Sequence, residues 1–386
     1  MALRADQEDF ISWQRLGESY AKSGRHSAAI KALKRALELR PDDWMCLYLL
    51  GDVHKLMADY SNAIGVFEGV LQSHPDEICV LLSLADTHLV HARNLSAEGF
   101  HSRAQSSAVA SIKVTLELLD RSPGFRRVIW KIAADAAFEL SRSVSFHDME
   151  PVGDALVSLA SLISVPEGDT FMKELLDSPL LPERDSVNGY SALQVAVSAY
   201  YHRLSLDSLD DTSTSTAWFD LGMALTRLST QTKDEAKSRM ASEQAKHYIQ
   251  KALVVDSGND VYWNVLGNLH FVADPQASQH AFIKALQRDA KVRHYMYRIL
   301  NILTCYQNPL TWANLGLLYL YHGDVEVANE ALLRAQTLDP DYVLAWVGQG
   351  IVATANGHQI ESHALFGHAI DLSADVVRPE NLTQHV

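Results

Sequence analysis

Apolar positions in the last third of the chain recur with the spacing of one helix face. Trp312, Leu315, Gly316 and Tyr319 fall at i, i+3, i+4 and i+7, which predicts an amphipathic helix. Gly323 and Asp324 break it. Ala328, Leu332 and Ala335 form a second stripe, and Pro340 ends that one because proline cannot continue a helix. The pattern then restarts, with Trp346 for Trp312, Gly350 for Gly316 and Ala369 for Ala335. The same step opens the chain, from Gly17 to Gly51, Ala29 to Ala63 and Pro41 to Pro75. Gly316 and Ala328 are small where a core is expected to be bulky. Paired helices should therefore approach closely there, and added bulk should cost packing.

A 34-residue period carrying W-x2-L-G-x2-Y, then A-x3-F-x2-A, then P, resembles the tetratricopeptide (TPR) repeat. The resemblance implies an all-α, TPR-type α-solenoid, a right-handed superhelix of about eight helix pairs. One such pair cannot bury its apolar face alone, so stacked neighbours complete the core. Residues 1–77 read as repeats one and two. Residues 78–205 match weakly; Leu81, Leu84, Ala85, Ile129, Ile132 and Ala133 keep the first-helix stripe, which predicts two degenerate repeats with insertions near 91–104 and 165–188. Repeats five and six occupy 206–291, around Trp218 and Trp263. Repeats seven and eight occupy 308–373, and 374–386 is a tail.

Composition narrows the function. At 47% hydrophobic residues the chain can fill a continuous core, and a net charge of −14 argues against unspecific affinity for nucleic acid or anionic membrane. The basic residues Lys22, Arg25, Lys31, Lys34, Arg35 and Arg40 interleave with apolar positions and read as a solvated helix face. Cys46, Cys79 and Cys305 have neither metal nor redox spacing and fit a reducing compartment. No signal peptide opens the chain and no apolar run is long enough to span a membrane. The glycosylation sequons at Asn94 and Asn381 are then chance matches. Cytoplasmic residence is expected, with the nucleus as the alternative.

Candidate chemistry is sparse. Gly348-Gln349-Gly350 looks like part of a dinucleotide fingerprint but lies inside a repeat helix, not after a strand. His88 and His91, at i and i+3, lack an acidic or thiol partner at ligand spacing. His54 and His270 stand where the repeat wants an aromatic and read as packing residues. Asp207, Asp210 and Asp211 lack the spacing of a calcium loop and read as a flexible loop. A clamp for a C-terminal carboxylate, as in chaperone-binding TPR domains, is incomplete: Asn268 and Asn314 fit, whereas Gln14, Glu18, Leu49, Asn264, Leu344 and Gly348 do not. No catalytic residue, cofactor or metal ligand is assigned, and the chain is not expected to be an enzyme.

Several phrases go beyond a generic repeat: PQASQHAFIKAL from Pro275, DPDYVLAWVGQG from Asp339, and AWFDLGMAL from Ala217. They resemble the TPR scaffold subunit of the superkiller (Ski) complex, of fungal type. That resemblance implies a cytoplasmic scaffold holding an RNA helicase and a WD-repeat protein, with RNA met only indirectly, that assists 3′-to-5′ mRNA decay by the exosome. Family scaffolds are far longer, so the resemblance implies an internal portion from a truncated or split gene. The alternative is a generic TPR adaptor that binds peptide segments of other proteins.

One segment breaks register. Counting from Ala285, the next repeat tryptophan is due at position 296 but stands at 312. Removing 292–307 restores the pattern. Sixteen codons are 48 nucleotides; a valine codon can begin GT and the glutamine codon CAG can end an acceptor site. The segment reads as a translated retained intron, the alternative being a genuine insertion between repeats.

The candidate partner-binding residues lie where the repeat predicts a groove: Leu310, Ala313, Leu317, Leu320 and Tyr321, then Leu344, Val347 and Ile351. A groove that met only water should be polar, and a contiguous apolar patch usually marks an interface. Coverage by further repeats or by the tail is the other reading.

Overall fold

The computed structural model describes residues 8–122, 126–143, 145–163, 174–176, 187–206, 211–288 and 308–375. The segment 292–307, Asp207 and Asp210, Cys305, most of 165–188 and the residues beyond 375 lie outside them. Among the described residues every regular element is an α-helix. The chain divides into two units, Met1–Asp207 and Ser208–Val386.

The first unit opens with three helical hairpins. They are α1 (Phe10–Lys22) with α2 (His26–Leu39), α3 (Trp44–Leu56) with α4 (Tyr60–Ser73), and α5 (Ile78–Ala97) with α6 (His101–Arg121). α2 packs on α3 and α4 on α5, so each repeat is closed by the next. The residues near 91–104 form no loop of their own. They lengthen α5 and α6 to 20 and 21 residues, where α3 and α4 have 13 and 14. Beyond α6 the simple alternation stops. α7 (Arg126–Leu140) pairs with α9 (Gly189–Ser205), while α8 (Met149–Leu162) sits against α6 and α9.

The second unit is regular: α10 (Asp211–Gln231) with α11 (Glu235–Val255), α12 (Asp260–His270) with α13 (Pro275–Arg288), α14 (Pro309–Tyr321) with α15 (Val325–Leu338), and α16 (Val343–Ala355) with α17 (Gln359–Asp375). Counting α7 with α9, the described residues hold eight helix pairs. The chain is an all-α, TPR-type solenoid.

Local chemistry sets these boundaries. Asp9, Asp234 and Asn259 accept backbone N–H bonds at the starts of α1, α11 and α12, and Asn308 does so for α14, which also has proline at its first position. The turns inside the hairpins need a left-handed residue: Gly24, Gly323 and Gly357 lie at φ +73°, +92° and +79°. Ala58 holds the equivalent place, one repeat after Gly24, at φ 60°.

In six of the first helices a glycine marks a close approach within the hairpin. A Cβ on Gly17 would stand 2.6 Å from Leu33 Cγ, on Gly51 2.5 Å from Phe67 Cε1, on Gly222 2.7 Å from Ile249 Cγ1, on Gly267 2.5 Å from Phe282 Cε1, on Gly316 2.7 Å from Leu332 Cγ and on Gly350 2.6 Å from Phe366 Cε1. Ordinary carbon contacts lie near 3.5–4.0 Å, so the missing side chain is what lets the large residue in. Leu33, Phe67, Ile249, Phe282 and Leu332 are fully buried there.

Candidate partner-binding face

The first helices of successive repeats lie side by side. Asn314 Nδ2 donates to Asn264 Oδ1 at 2.9 Å and Asn264 Nδ2 to Thr311 Oγ1 at 3.0 Å, linking α12 to α14. In the first unit Tyr48 Oη and Ser83 Oγ meet at 3.2 Å, linking α3 to α5. Tyr48 and Asn264 are both the fifth residue of a first helix, and their partners Ser83 and Asn314 are both the sixth of the next. Two of the clamp positions, Asn264 and Asn314, are thus buried against each other and present no free amide to a ligand.

Along this face the second residue of nearly every first helix is apolar and exposed. It is Ile11 in α1, Met45 in α3 and Cys79 in α5, then Val261 in α12, Leu310 in α14 and Leu344 in α16. The ninth residue distinguishes the two units. It is Glu18, Asp52 and Asp86 in α1, α3 and α5, but Asn268, Leu317 and Ile351 in α12, α14 and α16.

The sequence candidates in the second unit divide by exposure. Tyr321 is 61% exposed, Leu310 43%, Ile351 40% and Leu344 37%. Leu317 and Val347 are half-buried. Leu320 is also half-buried and packs on the core of its repeat with Trp312 and Tyr319. Ala313 is a correction: at 0% exposure it lies in that core beside Ala328 and Leu332 and meets no partner. It follows Trp312 directly, where the helix turns inward onto the next repeat. Phe271, between α12 and α13, adds an unforeseen neighbour, its ring 5.7 Å from that of Tyr321.

Other candidates resolve into packing. Gly348 lies in mid-helix and admits Leu332, whose Cδ2 would stand 2.5 Å from an added Cβ; with Gly350 admitting Phe366, this glycine pair serves the core and forms no phosphate loop. Burial pushes the His88 imidazole down to about 4, with His91 adding repulsion, and burial lowers His91 too. Among the described residues no group of three or more His, Cys, Asp or Glu could hold a metal ion. His54 Nδ1 meets Asp59 Oδ2 at 2.9 Å across the α3–α4 turn. Burial pushes the Cys46 thiol up to about 12, with Asp43 adding to the shift.

Two features lay beyond the repeat pattern. Buried Asp135 on α7 accepts from Tyr200 Oη of α9 at 2.5 Å and meets Arg93 Nη2 of α5 and Lys131 Nζ, each at 3.0 Å. Elsewhere, in the second unit, Ile283, Leu286, Trp312, Leu315, Tyr319 and Val327 line a recess of about 470 Å³ between α13 and α15. Among the described residues no helix is long and apolar enough to cross a membrane.

Comparison with known proteins fits this architecture. Tetratricopeptide-repeat family models match residues 10–43, 45–77 and 314–358. Tetratricopeptide repeat protein 37 of Xenopus laevis is 28% identical over 97% of this chain and 22% of its own length. Superkiller protein 3 of Schizosaccharomyces pombe is 30% identical over 69% of this chain and 19% of its own. That of Saccharomyces cerevisiae is 25% identical over 96% and 25%. Among solved structures, yeast Tom70 matches at 16% identity over 94% of this chain and 85% of that one, with a TM-score of 0.30. The chain spans about a fifth to a quarter of the length of these curated relatives. The resemblance read from the residues is thereby borne out: this is a TPR solenoid similar, over most of its length, to part of the superkiller 3 proteins.

Proposed function

We propose that this chain is a non-enzymatic protein-interaction scaffold that docks a partner protein on the first-helix face of its second unit. One observation carries the reading. Leu310, Leu344, Ile351 and Tyr321 stay exposed on helices whose other apolar residues are packed. Exposed apolar area of this kind marks an interface. Leu317 and Val347 complete the patch; Ala313 and Leu320 support it from below.

The similarity to superkiller 3 proteins supplies the setting. In that setting the partners are an RNA helicase and a WD-repeat protein, the compartment is the cytoplasm, and the assembly feeds mRNA to the exosome for 3′-to-5′ decay. RNA is met through the partners.

Tagged protein recovered from its native cell, with mass spectrometry of what comes along, tests both levels. A helicase and a WD-repeat protein should co-purify, and a chain carrying Leu310→Asp with Tyr321→Ala should lose them while its circular-dichroism melt stays unchanged. Retention of both partners by that variant sinks the groove assignment. Recovery of unrelated proteins instead points to a generic TPR adaptor.

A further inference from the structure

The recess between α13 and α15 lies on the far side of α14 from the candidate partner face. At about 100° of helix rotation per residue, Trp312, Leu315 and Tyr319 leave α14 in one direction and Leu310, Leu317 and Tyr321 in the opposite one. Leu286, Leu315 and Ala331 form the floor of the recess, none more than 5% exposed. That floor continues into the core around Phe282 and Leu318. Ile283 and Val327 stand at its mouth, 37% and 45% exposed.

The repeat itself does not require this lining. The close contacts of Gly267 with Phe282, Gly316 with Leu332 and Gly350 with Phe366 fix the register between neighbouring repeats. In that register Tyr319 corresponds to His270 in the repeat before and to Ala353 in the repeat after. Val327 corresponds to Ala277 and Glu361, and Leu315 gives way to Gln349 in the later repeat. Both neighbours fold with other residues at these places, so the apolar lining belongs to this recess and not to the fold.

The polar groups around it select against charge. Glu330 and Arg334 also line the recess, one turn apart on α15, both exposed. Neither forms an ion pair among the described residues. A charged ligand would meet both, so attraction to one is offset by repulsion from the other, while its own desolvation remains a cost. Tyr319 Oη already accepts from Gln279 Nε2 at 2.7 Å, so an apolar ligand against that ring strands no hydroxyl.

We infer that this recess is a binding site for a neutral, largely apolar small molecule with an aromatic or aliphatic ring system. Its volume of about 470 Å³ lies within the range of about 300–1,000 Å³ typical of small-molecule clefts. Trp312 and Tyr319 are separated along α14 by about 10 Å, at about 1.5 Å per residue, which sets the length of the ligand. The partner face proposed above takes no part in this site.

The test uses the full chain and two dyes whose emission rises in apolar surroundings. One is neutral N-phenyl-naphthylamine; the other is anilinonaphthalene sulfonate, which carries the same rings and a negative charge. The neutral dye should titrate to a single saturable site, and the sulfonate should bind several-fold more weakly. Val327→Trp and Ile283→Trp each put a large side chain at the mouth from an exposed position, and each should weaken the neutral dye roughly tenfold or more with an unchanged circular-dichroism melt. Glu330→Gln removes the opposing carboxylate and should raise the affinity of the sulfonate several-fold while leaving the neutral dye as it was. Leu310→Asp with Tyr321→Ala should alter neither dye. Absence of saturable binding of the neutral dye, equal or tighter binding of the sulfonate to wild type, wild-type affinity in both tryptophan variants, or loss of the dye in the Leu310 and Tyr321 variant overturns the proposal.

Discussion

Replacing Gly51 with alanine should destabilise the protein, whereas the same change at Gly69, one helix away, should stabilise it. Both glycines lie inside helices, α3 and α4, and both gain about 1 kcal/mol of helix propensity on becoming alanine. Their surroundings differ. A Cβ at Gly69 meets nothing within 4 Å, so the propensity gain stands alone. At Gly51 it would stand 2.5 Å from Phe67 Cε1, 2.8 Å from Cζ and 2.9 Å from Cδ1, about 1 Å inside normal contact for three ring atoms. Phe67 has no exposed surface and packs with Val70, Val80 and Leu84, so the ring cannot swing away without moving its neighbours. Overpacking of this kind costs about 1–3 kcal/mol. Relative to Gly69→Ala, Gly51→Ala should then be less stable by the whole of that cost.

Guanidinium titration followed by circular dichroism and by the emission of Trp44, which packs in the same cluster, reads the difference. A repeat array need not unfold in one step, so hydrogen exchange on α3 and α4 should accompany the titration. Phe67→Ala removes the ring atoms that an added Cβ would meet, so in that background Gly51→Ala should lose its overpacking cost, giving a coupling of about 1–3 kcal/mol in a double-mutant cycle. If Gly51→Ala proves as stable as Gly69→Ala, the close approach does not exist and the repeat register is wrong.

Ala58→Gly should stabilise the first unit by about 1 kcal/mol, because alanine at φ 60° bears a left-handed penalty that glycine avoids; Gly323→Ala should cost a similar amount, and thermal melts check both. His88, held at about 4 when folded against an ordinary 6.5, favours the neutral form in the native state. Its contribution is intact above pH 6.5 and lost as pH falls from 6.5 towards 4, so wild type should weaken over that window more than His88→Gln does, as denaturant midpoints will show. In a Cys305→Ser background, Ellman's reagent should modify exposed Cys79 at once and buried Cys46 only on unfolding; rapid reaction of both thiols would count against the packing of α3.

The repeat units were legible because their defining residues are also their closest contacts. Gly17, Gly51, Gly267, Gly316 and Gly350 show in the sequence as a period, and each admits one large residue of the following helix. Where the contact changes, the period fades. α7 pairs with α9 across the intervening α8, and the pair is joined through Asp135 and Tyr200, a polar link with no repeat counterpart. No spacing rule could have found it, since the two residues stand 65 positions apart and either could pass for a surface residue.

The candidate face was half legible for a related reason. Helical spacing says which residues share a face, so Leu310, Tyr321, Leu344 and Ile351 could be grouped as exposed apolar positions. It does not say how far the next repeat overlaps that face, and this is what buries Ala313 beside Leu332 while leaving Leu310, one turn earlier, in solvent. The same overlap buries Asn264 and Asn314: a first-helix side chain at the fifth position meets the sixth of its neighbour, and Asn314 Nδ2 donates to Asn264 Oδ1 while Asn264 Nδ2 donates to Thr311 Oγ1. Positions two and nine escape that overlap in both units. These positions are where the repeat is least constrained, and there the two units diverge, with carboxylates at the ninth position in one and Asn268, Leu317 and Ile351 in the other.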